Sequence, residues 1–173
     1  QAGIDAASAS DVVLVAAGIY NERIRLKLGI TVKSAGDNSR GRVGLKRAEV
    51  TIIDGNVKGA VAPGVTMAEG STLDGFSVTG VGSYDEDRWK KHHATQGEEQ
   101  AKEPIGAPGT PGIAAGGVTR CTVSNNIVHH IGYTGIGIEG MKNKRVSPHI
   151  LHNVTYRNMG GGIGSMRGSS AII

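Results

Sequence analysis

Gly112-Ile113-Ala114, Gly135-Ile136-Gly137 and Gly162-Ile163-Gly164 follow one another at spacings of 23 and 27 residues, and Asn126-Ile127 precedes Asn153-Val154 by the same 27. Internal repetition of this kind decides the fold before any single residue is considered. The pattern extends toward the N-terminus. Ile30-Thr31-Val32-Lys33-Ser34 returns as Val50-Thr51-Ile52-Ile53-Asp54, and Ile53-Asp54-Gly55 returns as Leu73-Asp74-Gly75, each at an offset of 20. Every unit holds short β-branched runs punctuated by Gly, Asn or Asp, too short for helices and suited to strands.

A unit of 20–27 residues cannot bury an apolar face alone, so neighbours must stack into one continuous core. With strands about 4.8 Å apart, six coils make a prism roughly 30 Å tall. The opening stretch, Ile4-Asp5-Ala6-Ala7 followed by Asp11-Val12-Val13-Leu14-Val15-Ala16-Ala17-Gly18-Ile19-Tyr20-Asn21-Glu22, resembles the start of pectin-lyase-like right-handed parallel β-helix proteins. Asn125-Asn126-Ile127-Val128-His129-His130 and Gly135-Ile136-Gly137-Ile138 are similar to the repeat of the same superfamily. The expectation is an all-β chain: a right-handed, single-stranded parallel β-helix of about six coils with a short N-terminal capping helix. Residues 1–173 read as one β-helix domain, a fragment of a longer one, whose uncapped coil offers end-to-end self-association.

Composition narrows the classes. Glycine supplies 28 of 173 residues, but five prolines and no Gly-X-Y period exclude collagen. No apolar run approaches the ~18 residues of a membrane span. The single Cys121 cannot form an internal disulfide. A net charge of +4 favours anionic partners, while six aromatics and no concentrated basic tract argue against nucleic acid.

From residue 80 to 112 the repeat is interrupted. Leu73 and Val123 are 50 residues apart where one coil needs 20–27, so this is an inserted loop or lid. Residues 84–102 suit a polar helix and 104–112 an extended Pro/Gly return. The insertion carries six carboxylates against four cations, which leaves +6 on the body, and it holds Trp89, the only tryptophan.

Alternation along a strand sends Ile113, Ile136 and Ile163 inward and turns Ala114, Gly137 and Gly164 outward as a nearly bare ribbon on which a polymer can lie. Glu139 ends that ribbon, with Lys142, Lys144 and Arg145 after it and Arg167 one coil later. The resemblance implies an exported protein, extracellular or periplasmic, that binds or cleaves an acidic polysaccharide by lyase-type β-elimination. Lys142 or Arg167 would then be the base, Glu139 the carboxylate of the catalytic group and Arg145 the clamp on a substrate carboxylate. Trp89 and His130 would contact substrate. No metal site is read from the chain: Glu139, Asp54 and Asp74 stand apart and His92-His93 lack partners, although lyases of this kind also use calcium held by acidic side chains. The alternative is a non-catalytic structural, adhesion or carbohydrate-binding module. His129, aligned with Val78 and Tyr156, reads as an inward core residue. Asn126 and Asn153 read as a stacked ladder at a corner where Asn tolerates positive φ. Gly135-Ile136-Gly137-Ile138-Glu139-Gly140 only loosely mimics a dinucleotide fingerprint, because no helix follows it.

Overall fold

The computed structural model describes residues 1–39, 41–96 and 110–173. A five-residue helix, α1 (Ala2–Ala6), buries Ile4 over the first coil. Fifteen short strands follow among the described residues, and each coil contributes one to each of three parallel sheets. The first sheet stacks β1 (Val12–Val15), β4 (Thr31–Ser34), β7 (Thr72–Asp74), β10 (Thr122–Ser124) and β13 (His149–Leu151). The second holds β2 (Gly18–Tyr20), β5 (Thr51–Asp54), β8 (Ser77–Thr79), β11 (Ile127–His129) and β14 (Val154–Tyr156). The third holds β3 (Ile24–Arg25), β6 (Val65–Thr66), β9 (Ile113–Ala114), β12 (Thr134–Glu139) and β15 (Gly161–Met166). This is a parallel β-helix. Among the described residues it has five full coils and a sixth begun where Ile172 pairs with His149, in keeping with the expected stack of about six.

Register explains the core. Val32, Leu73, Val123 and Ile150 file inward from the first sheet, Ile53, Val78 and Val128 from the second, and Val65, Ile113 and Ile136 from the third, all nearly inaccessible. Ile163 packs on the same core, and Ala114, Gly137 and Gly164 do form the outward ribbon.

The spacings of 23 and 27 are true coil repeats, since Ile113 pairs with Ile136 and Ile136 with Ile163. The offset of 20 is not. Val32 pairs with Leu73, whereas Ile53 pairs with Val78, so Thr31–Ser34 and Thr51–Asp54 lie in different sheets. Between them the chain makes an excursion ending in α2 (Lys46–Val50), which sets Leu45 and Ala48 against Ile127 and Val154 on the outer face of the second sheet.

The 50-residue step from Leu73 to Val123 stands, and it carries α3 (Glu86–Ala94) within the stretch expected as a polar helix, of which residues 97–102 lie outside the described residues. The return over 104–112 falls largely outside the described residues.

The asparagine ladder is present, but its positive φ lies one residue earlier, at Asn125 and His152. Buried Asn126 accepts from the Phe76 backbone N–H at 2.9 Å and donates to the Leu73 carbonyl and to Asn153. Asn126→Ala leaves the buried Phe76 N–H without its acceptor and removes the amide bonds to the Leu73 carbonyl and Asn153, and we expect a loss of about 1–3 kcal/mol. The check is a lower urea midpoint at unchanged slope.

Candidate functional site at the second corner

Two outward columns of the second sheet and its corner carry the densest chemistry. His129 pairs with Tyr156 one coil on, and its Nδ1 lies 3.3 Å from the Thr79 hydroxyl one coil back. His129 is therefore aligned with Thr79, not Val78, and faces outward. A register slip of one residue exchanges the faces of a strand. At the corner itself His130 (φ 53°) and Arg157 (φ 50°) occupy equivalent left-handed positions, and the His130 backbone N–H donates to the Arg157 carbonyl at 2.9 Å. That conformation throws both side chains outward beside the His129 and Tyr156 column.

The two imidazoles meet Nδ1 to Nδ1 at 2.6 Å. One nitrogen must donate and the other accept, so the pair is at most singly protonated across this contact. Burial, followed by the neighbouring His130, pushes His129 down to about 4. Burial and then Arg157 lower His130, with Glu86 opposing. Both shifts favour the neutral rings. Tyr156 stacks on His129 at 5.0 Å and is 41% exposed, which leaves an aromatic surface open to solvent.

The inserted helix closes over this group. Tyr84 meets His130 edge-on at 4.8 Å and donates its phenol to Glu86 at 2.5 Å; burial first, then that bond, holds the phenol well above its usual range. Glu86 also reaches Arg157 at 3.5 Å and Lys90 at 3.4 Å. Trp89 stacks on His93 at 4.8 Å and lies 5.6 Å from the Arg157 guanidinium. These contacts make Trp89 part of the seam between insertion and coils, while Tyr156 is the more open ring.

The other expected residues lie at the far end of the third sheet. Glu139 and Arg167 pair at 2.5 Å, both well exposed. Glu139 lines a cavity of about 150 Å³ together with Ala114 and Gly137 of the ribbon and with Pro63, Pro111 and Tyr133. Lys142 is exposed in the turn closed by the Met141–Lys144 bridge. Arg145 bonds Ser147 and faces Arg120 across a shallow depression around the next corner.

The structure thus brings Glu139 to Arg167 and His130 to the Trp89 helix, and keeps the two groups apart. Sequence reasoning missed Tyr84, Glu86, Tyr156 and Arg157. A usable signal existed for the last two, because the 27-residue offset that aligns Asn126 with Asn153 also aligns His129 with Tyr156 and His130 with Arg157.

Calcium does not fit the carboxylates placed here. Glu139 is engaged by Arg167, Asp74 by Arg47, and Asp54 accepts from the Asn56 backbone; among the described residues no three acidic, His or Cys side chains converge on one point. No helix among the described residues is long and apolar enough to cross a membrane.

No family model matches the chain, and no curated protein matches it in sequence. A solved structure does: a pectin methylesterase from Yersinia enterocolitica superposes with a TM-score of 0.51 at 13% identity, over 89% of this chain and 51% of the other. The likeness is one of fold. The present chain spans about half the length of that esterase.

Proposed function

We propose that this β-helix is an exported protein that binds an acidic polysaccharide at the His129–His130–Tyr156–Arg157 corner and cleaves it by β-elimination. The observation that carries the reading is the neutral histidine pair set beside a guanidinium and an open aromatic ring. A uronate ring stacks on Tyr156, and Arg157 neutralises its carboxylate with two parallel hydrogen bonds, which acidifies the adjacent C–H. His130 is the base. With its Nδ1–H donated to His129 Nδ1, the opposite ring nitrogen keeps a lone pair for the proton alpha to the carboxylate. The electrons of that C–H bond form a carbon–carbon double bond, the glycosidic C–O bond breaks, and the imidazolium returns its proton to the leaving oxygen. His129 acts through His130 as a positioning residue, and no step passes through calcium. The fold relative that acts on pectin supports a polyuronate as the first substrate to try.

The Glu139–Arg167 groove supports a contribution to the same polymer as an outer binding surface, with Lys142 and Arg145 supplying positive charge beyond it. The second reading is binding without cleavage. It is favoured by one feature: two of the arginines assigned to the polymer, Arg157 and Arg167, are already paired with carboxylates of the chain.

Absorbance at 235 nm separates the two, because elimination creates a conjugated product. We expect a rise on pectate, alginate or a glycosaminoglycan, with or without calcium. A flat trace on all of them, together with retained binding, leaves the binding module.

A further inference from the structure

The guanidinium assigned above to a substrate carboxylate already holds a carboxylate of the chain itself. Glu86, the first residue of α3, reaches Arg157 from the inserted segment and lies in the same cluster as the His130 ring through Tyr84. We propose that Glu86 is an internal stand-in for the substrate: it occupies Arg157 in the free protein and gives way when a uronate carboxylate arrives. The inference rests on the reading of Arg157 given above, and it adds a regulating contact to that site.

Three features suit Glu86 to this exchange. Its pair with Arg157 is formed between side chains 34% and 44% exposed, and half-exposed ion pairs are weak and easily exchanged. Glu86 keeps two other partners when it lets go, the Tyr84 phenol and Lys90 four residues along the helix, so displacement strands no charge. The helix does not depend on Glu86 for its start either, because Asp85 caps it by accepting from the Arg88 N–H at 2.9 Å. A carboxylate that has one of its three partners, Arg157, at the place where an incoming carboxylate is needed behaves as a competitor. It lowers the fraction of protein ready to bind, and the apparent affinity falls with that fraction.

Trp89 supplies the signal. It is the only tryptophan, it stands against Arg157, and any rearrangement of that guanidinium changes its surroundings. The experiment titrates a trigalacturonate, and a neutral galactose trimer as control, into the whole protein, Glu86→Gln and Tyr84→Phe, followed by tryptophan emission and calorimetry. Glu86→Gln is expected to bind the trigalacturonate about three- to tenfold more tightly than the unmodified protein, with no change for the neutral sugar. Tyr84→Phe, which frees Glu86 from the phenol without removing it, is expected to alter uronate affinity by less than Glu86→Gln. Equal or weaker binding by Glu86→Gln overturns the inference and leaves the site assignment standing. Absence of binding in both the unmodified protein and Glu86→Gln overturns the site assignment as well.

Discussion

His130→Asn lowers the initial rate of 235-nm absorbance on the best polyuronate by about 10²–10⁴-fold, the range over which a positioned general base contributes. Asparagine is the informative replacement because position 130 has φ 53° and asparagine enters that region more readily than other side chains. It keeps the corner while removing the proton acceptor. Melting temperature and Trp89 emission should therefore stay close to those of the unmodified protein, and a comparable fall in both would assign the lost rate to the corner rather than to the base. The pH profile gives an independent reading. Burial and Arg157 hold His130 below the ordinary histidine value of about 6.5, so the base remains neutral into mildly acidic solution. The acid limb of kcat/KM is expected below pH 6.5, with activity falling as pH drops, since an imidazolium has no lone pair to accept the substrate proton. An acid limb above 6.5, or a rate unaffected by His130→Asn, removes His130 from the mechanism.

Asp74→Ala is expected to destabilise the coil stack by about 3–5 kcal/mol, the usual cost of leaving one member of a buried ion pair without its partner. Arg47, on α2, crosses from the excursion after β4 and places its guanidinium 2.7 Å from Asp74, with side chains only 5% and 13% exposed. Asn125 and Ser124, one coil on, bond the same carboxylate oxygen, and Arg47 also holds Asn38 and the Ser34 carbonyl. Removing the carboxylate strands a cation that joins the excursion to two coils. Acid acts on the same link. Burial alone would raise Asp74, but the bonds from Asn125 and Arg47 outweigh it and hold the carboxyl below its usual range. Its contribution is therefore complete above the ordinary aspartate value of about 3.9 and is lost as pH falls through the lower folded value. Urea melts at pH 7 and pH 3 check both statements: Asp74→Ala should show the smaller difference between the two.

The stacking itself was legible because three Gly-Ile pairs and two asparagines recur in register, and those residues sit at corners or in the core, where each coil repeats the demands of the last. The 20-residue offset misled for a physical reason. Short runs that open on β-branched residues look alike in any of the sheets, so Thr31-Val32 and Thr51-Ile52 match in type while Thr31–Ser34 and Thr51–Asp54 lie on different faces of the prism. His129 was misplaced by a slip of one position, which in a strand sends a side chain from core to solvent. The site was legible only in part. His130 announces itself as a titratable group after an Asn-Asn pair, whereas the approach of Glu86 and Tyr84 depends on how an inserted segment folds back, a contact between residues more than 40 apart for which no local pattern exists. The Arg47–Asp74 link, between residues 27 apart, was invisible because it too depends on how an excursion folds back.

The left-handed geometry at positions 130 and 157 also constrains any laboratory effort to repurpose this corner. A mutant library at those two sites meets a conformational sieve before it meets a substrate: asparagine, aspartate and glycine enter freely, while valine, isoleucine and threonine are turned away by their branched Cβ. New specificities are therefore better sought at Tyr156 and Thr79, whose extended backbones accept a wider alphabet.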